Sequence, residues 1–194
     1  MSDVTRERIL EATEALLRRH GPDKVAVVDV ARALGMSHAN LYRFFSGKGA
    51  LRNAIVERWL DRVTAPLDAI VAADGPAGER LRQWCLTLMA SKRRKVLEDP
   101  EMFAAYQSLV GGAREVVDLH LAHLRDHVRR LIAAGCAEGA FRVADLDAAT
   151  AMVLDATIRF HHPRLVAENP DEDLTPRVDA VMRMILAGLT AGVL

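Results

Sequence analysis

Residues 27–45 read Val-Val-Asp-Val-Ala-Arg-Ala-Leu-Gly-Met-Ser-His-Ala-Asn-Leu-Tyr-Arg-Phe-Phe, and this stretch decides the fold. A short helix over about 28–34 would bury Val27, Val30, Ala31 and Leu34. Gly35 closes it, because such a turn needs a residue at positive φ, which glycine adopts cheaply. Ser37 then caps a further short helix running through Phe45. Two short helices joined by Leu34-Gly35-Met36-Ser37 have the spacing of a helix-turn-helix. On the second helix Leu41, Phe44 and Phe45 share one side at i, i+3 and i+4. The opposite arc presents Ala39 and Arg43, flanked by His38, Asn40 and Tyr42. That surface suits a DNA major groove: Asn and Arg hydrogen-bond base edges, Ala meets a thymine methyl, and Tyr reaches phosphate. The bland alternative is a solvated arc, since helix-turn-helix pairs also occur in proteins that never touch DNA.

Outward from this stretch almost every segment reads as helix. Residues 5–19 place Ile9, Thr13, Leu16 and Leu17 on one face and end in Arg18-Arg19-His20-Gly21, a basic last turn followed by a glycine stop. After Ser46-Gly47 a long helix starts near Lys48 and carries Leu51, Ile55, Trp59 and Val63. The clearest loop is Asp74-Gly75-Pro76-Ala77-Gly78. Helices are predicted beyond it at 78–97, 101–110, 113–134, 145–160 and 174–192. Asp99-Pro100, Gly111-Gly112, the Gly135 to Arg142 turn and the Pro163 to Pro170 segment separate them. The expected fold is all-α: a helix-turn-helix unit over 1–47, a connecting helix over 48–65, and a helical body over 66–194.

Composition agrees. The chain has 194 residues, 51% hydrophobic and 27% charged, which excludes a disordered polymer. Lys+Arg and Asp+Glu number 26 each, so the basic excess of many nucleic-acid proteins is missing. The balance is uneven along the chain, however: through residue 65 eleven cations face eight anions, a net +3 that leaves −3 for the remainder. Cys85 and Cys136 form no CxxC pair, so neither a disulfide framework nor a thiolate zinc site is expected. Charge at Asp3, Arg6, Glu7 and Arg8, with no apolar signal core, predicts no export. The uncharged run Met184 to Leu194 is far shorter than the ~20 residues that span a bilayer. The expected location is the cytoplasm, without a membrane partner.

Residues 5–63 resemble the DNA-binding domain of TetR-family transcriptional regulators. The likeness runs from Arg8-Ile9-Leu10-Glu11-Ala12 and Gly21 through Val27-Val28-Asp29-Val30-Ala31 to Gly35-Met36-Ser37. It continues with Leu41-Tyr42-Arg43-Phe44-Phe45 and closes with Lys48 and Leu51. It implies that Tyr42 and Lys48 contact phosphates, Lys48 with help from its helix N-terminus. His38, Ala39, Asn40 and Arg43 are then the base-reading positions, with Ser37 at the cap, while Val30, Leu34, Leu41 and Phe45 hold the recognition helix. Many members carry Thr or Ser where this chain has Ala26, Gly and Thr in place of Ala39 and Asn40, and Ser in place of Gly47. Those departures leave the fold assignment intact and make the transfer of an operator sequence unsafe.

The resemblance also implies a ligand-responsive regulator, with repression the expected sense. It would bind a palindromic double-stranded operator as a homodimer and be released by a small-molecule effector. Between Ala180 and Leu194 the only charge is Arg183, and the helix from Asp145 is similarly apolar, so both helices should be covered on several sides. They resemble the pair with which the family builds a four-helix dimer interface. Candidate effector-lining residues are Trp84, Met89, Met102, Phe103, Tyr106, Gln107, Asp155, Arg159, Phe160 and His161, most of which would be ordinary core. No cofactor or metal is assigned. The alternative is a metal-responsive regulator using the stripe of His120, His123 and His127 at i, i+3 and i+7, joined by His161 or His162, to hold Zn²⁺ or Ni²⁺. A helical metal enzyme lacks support, for neither a nucleophile–base motif nor a Glu-x-x-His pairing is present. A helical module that binds another protein is the remaining alternative.

Overall fold

The computed structural model describes residues 2–193, with side chains from Thr5 onward. The side chain of Asp3 and the whole of Leu194, which entered the terminal readings above, lie outside the described residues. No strand occurs among the described residues. The helices are α1 (Ser2–His20), α2 (Val27–Ala33), α3 (His38–Tyr42), α4 (Lys48–Ala72), α5 (Ala77–Glu98), α6 (Pro100–Leu109), α7 (Arg114–Ala137), α8 (Leu146–His161), α9 (Pro163–Glu168) and α10 (Thr175–Ala191). The chain folds as two compact units that interleave along the sequence: Met1–Asp61 with Asp99–His120, and Arg62–Glu98 with Leu121–Leu194. The expected partition was contiguous and kept 66–194 together.

In the first unit, Ile9, Leu10 and Leu17 of α1 meet Val30 of α2, Leu41 of α3 and Ile55, Trp59 and Leu60 of α4. Gly35 stands at φ 63° in the turn between α2 and α3, the conformation that glycine allows there. Helix α3 is shorter than expected. Arg43 caps it, and the turn continues through Phe44 and Phe45, whose N–H groups both donate to the Leu41 carbonyl. Phe45 is buried and Phe44 half-buried.

Residues 99–120 join this unit for two reasons. Met102, Ala105 and Tyr106 of α6 enter the same core, where the Tyr106 ring stacks on Trp59 with centroids 5.6 Å apart. Charge does the rest. The Glu14 carboxylate is only 4% exposed, and Arg58 approaches it at 3.0 Å while also pairing with Glu7. Arg18 reaches Glu14 at 3.6 Å and grips Asp99 with Nε and Nη2 at 2.8–3.1 Å. Asp99 in turn caps α6 by accepting the Met102 N–H. One carboxylate thus ends a helix and anchors it to α1.

In the second unit Leu67, Leu81, Trp84, Leu88, Leu131, Ile132, Val153 and Met182 are fully buried. Gly135 lies in α7 directly beneath the buried Phe141 ring, and a Cβ there would sit 2.1 Å from Phe141 Cδ2. The segment Pro163 to Pro170, expected as a connection, contains α9 instead. Pro163 occupies the first helical turn, where its missing N–H and fixed φ do no harm. Helices α8 and α10 each bury one face within the chain and leave the other open. Met182, Ile185 and Leu189 point inward on α10, whereas Met184 is 73% exposed, and on α8 Met152 is 45% exposed.

Two predictions follow from the local geometry. Ala26 supplies no side-chain cap to α2; the Asp29 carboxylate accepts the Ala26 N–H at 3.0 Å, completing only half of a capping box. Ala26→Ser should therefore raise stability by about 1 kcal/mol, read as a higher denaturant midpoint at unchanged slope. Gly135→Ala should lower stability by about 1–3 kcal/mol, because the Phe141 ring must leave its site; the same titration reads it.

Candidate functional site

The surface of α3 is built from its buried side outward. Leu41 is wholly buried and Phe45 4% exposed, and these anchors turn the other arc to solvent. Ser37, His38, Ala39, Tyr42 and Arg43 are exposed, and Asn40 is half-buried. The Ser37 hydroxyl accepts the Asn40 N–H at 3.2 Å, so it serves as the N-cap. His38 and Tyr42 stand one turn apart with rings edge-on, centroids 5.3 Å apart at 85°, which holds the tyrosine against its neighbour. Lys48, exposed, is the first residue of the 25-residue α4. Its ammonium and the free N–H groups of that helix end present positive charge together. Six of the seven expected residues thus lie on or beside α3, and Lys48 opens the following helix, all within the first unit.

The expected effector residues are divided. Met102, Phe103, Tyr106 and Gln107 lie on α6 in the first unit, where Met102 and Tyr106 are core and burial pushes the Tyr106 phenol up to about 12. The other six lie in the second unit. Met89 and Phe160 line one small cavity there, of about 10 Å³, room for roughly one water. Arg159 donates to the Leu165 carbonyl at 2.7 Å and lies 3.6 Å from Glu172, while Asp155 is exposed. His161 stands 3.3 Å from the Thr157 hydroxyl, and burial, then the charge of Lys92, takes it down to about 4. Burial also lowers the Lys92 ammonium to about 8. Lys92 was missed from sequence, since it reads as one more cation in the basic run Lys92-Arg93-Arg94-Lys95.

The histidine stripe comes together differently from its spacing. His123 Nε2 and His127 Nε2 lie 3.1 and 2.9 Å from the same atom, Asp68 Oδ1 of α4. Among the described residues neither His120 nor His161 nor His162 joins them; the carboxylate takes that place. On an α-helix i and i+4 fall side by side one turn apart, whereas seven residues separate His120 from His127, about 10 Å along the axis, beyond the reach of one carboxylate. Asp68 left a faint sequence signal: it is the lone charge in the run 63–73. On its other edge His127 Nδ1 accepts the indole N–H of Trp84 at 3.1 Å. His127 is 1% exposed, and burial, with His123 adding to it, lowers its pKa; because Nδ1 accepts an N–H it bears no proton, and the ring is neutral.

Comparison with known proteins identifies the chain. The model of the tetR family of bacterial regulatory proteins matches residues 9–55, and that of the tetracyclin repressor-like C-terminal domain matches residues 77–182. An uncharacterized HTH-type transcriptional regulator of Mycobacterium tuberculosis is 31% identical over 103 residues, 53% of this chain and 49% of its own. The transcriptional repressor KstR of Mycolicibacterium smegmatis is 30% identical over 121 residues, 62% of this chain and 59% of its own. The chain therefore spans about half the length of the first of these relatives. A solved TetR/AcrR-family regulator from Thermobifida fusca shares the fold at a TM-score of 0.64 and 24% identity, over 95% of this chain and 97% of its own. The two domain models cover both the helix-turn-helix and most of the helical body, and the chain belongs to the tetR family of bacterial regulatory proteins.

Proposed function

We propose that this chain is a transcriptional repressor that binds a palindromic DNA operator as a homodimer and is released by a small-molecule effector. The observation that carries the reading is the patch on α3. Four base-reading candidates and a phosphate-directed tyrosine surround one short helix, and Lys48 stands at the next helix end. In this reading residues 1–47 read DNA, 48–65 connect, and 66–194 bind the effector and the second subunit. Arg43 and Asn40 contact base edges, with His38 and Ala39 beside them, while Tyr42 and Lys48 hold phosphates. The protein acts in the cytoplasm, where its operator is. No helix among the described residues is long and apolar enough to cross a membrane.

Dimerisation is supported by the faces that the chain leaves open. Ala148, Met152 and Ala156 line exposed α8 at i, i+4 and i+8, and Ala180, Met184, Ala187 and Ala191 line exposed α10. Small residues around a protruding methionine let helices of a second copy approach closely, and one recognition helix alone reads too few bases. The effector reading is supported by Lys92 and His161, half-buried polar groups whose charged forms burial disfavours. A ligand that binds one arrangement of the body better than the other would shift the equilibrium between DNA-binding and released forms.

Binding to DNA from the protein's own promoter region, measured by fluorescence anisotropy against salt, is the test. Binding should weaken steeply as salt rises. Lys48→Ala should weaken it on every sequence and reduce the salt slope by about 1, whereas Arg43→Ala should cost about 1–3 kcal/mol and relax the preference at one base pair. Met184→Glu, at an exposed site, should leave the fold intact and shift the sedimentation mass from dimer towards monomer. No binding at low salt, with or without candidate ligands, would overturn the regulator reading. A thermal-shift screen of ligands should find one that raises stability and lowers operator affinity together.

A further inference from the structure

We infer that Asp68, His123 and His127 form a binding site for a divalent transition-metal ion, and that Trp84 competes with the ion for His127. The site lies wholly within the second unit and does not depend on the operator reading. Three observations carry it. Helix α7 sets two imidazoles one turn apart, ring centroids 4.4 Å from each other, with both Nε2 atoms turned to one carboxylate on α4. The three donor atoms lie within 4.8 Å of one another. Ligands about 2.0–2.2 Å from a tetrahedral ion sit roughly 3.4 Å apart, so a small outward movement of the carboxylate admits one. Exposure is graded too: His127 is 1% exposed, His123 48% and Asp68 50%. One ligand is thus fixed in the wall, and two stand at the surface where an ion can enter.

Two imidazoles and one carboxylate select zinc, nickel or copper over magnesium or calcium, which prefer oxygen donors alone. The other edge of His127 carries the unusual part. A metal-bound histidine ordinarily donates its remaining ring N–H to an acceptor. His127 Nδ1 instead receives an N–H, because the indole of Trp84 can only donate. The proton of the neutral ring therefore resides on Nε2, aimed at Asp68. An ion arriving at Nε2 displaces that proton to solvent, and Nδ1 takes one up, so the ring remains neutral. Nδ1–H then faces the Trp84 N–H, donor against donor, and the indole must give up its partner. Trp84 is wholly buried on α5. Occupation of a surface-accessible site is in this way tied to the packing of a core side chain on another helix.

The test uses the full chain, freed of metal by chelation and titrated with Zn²⁺ by calorimetry and with Co²⁺ by absorbance. One ion per chain is expected. Asp68→Asn and His123→Ala, both half-exposed and so safe for the fold, should each weaken binding at least tenfold. Trp84→Phe removes the competing donor and should tighten binding by roughly five- to a hundredfold, the span expected when a buried N–H no longer loses its bond. Circular dichroism verifies that this variant folds. Because Trp84→Phe empties part of the core, the native chain supplies a second readout. It has two tryptophans, and zinc should move an indole N–H resonance in its ¹⁵N spectrum. Less than one ion per chain, or equal affinity in Asp68→Asn and His123→Ala, overturns the site and leaves a hydrogen-bonded clamp between α4 and α7. Binding with neither indole resonance moved overturns the competition.

Discussion

The first unit depends on a buried carboxylate. Glu14 sits on α1 almost without exposure, and an ionised group in such a place must be matched by opposite charge. Arg58 supplies it from α4 and Arg18 from α1 itself. Arg18 then has a second carboxylate to hold, Asp99, which is also the cap of α6. The constraint propagates from there. Charge draws α6 against α1, the Trp59–Tyr106 stack holds it to α4, and residues 99–120 fold with a helix-turn-helix far away in sequence. The exposed arc of α3 is set separately, by the burial of Leu41 and Phe45 in the same core.

The second unit shows the complementary device, a polar chain that threads an apolar interior. The Trp84 indole, the His127 ring and the Asp68 carboxylate connect α5, α7 and α4 in sequence. Each member has the partner its chemistry requires: a donor-only indole, a ring that accepts on one edge and donates on the other, and an acceptor-only carboxylate. A network satisfied so completely orders its helices, and any ligand that takes one member must disturb the next.

Much of this was legible beforehand. Period 3.6 placed the ends of α5, α7, α8 and α10 within about three residues, because their caps are local: Asp145 before α8, and the turn at Gly139, φ 73°, after α7. The arc of α3 was legible for the same reason, since Leu41 and Phe45 declare which side is buried. What escaped was non-local. Helix α9 hides behind two prolines that read as breakers, although one of them starts it. Asp68 sits 55 residues from His123, and no spacing rule connects them.

By itself, then, the sequence determined the helices, the turn at Gly35 and the identity of the exposed arc, because helical periodicity, caps and glycine conformation act over a few residues. Tertiary structure alone decided that α6 belongs with the first unit, and that a carboxylate from α4, rather than a third histidine, completes the His123–His127 pair. Those outcomes depend on which buried charges and ring edges find partners, and that is settled only when distant helices meet.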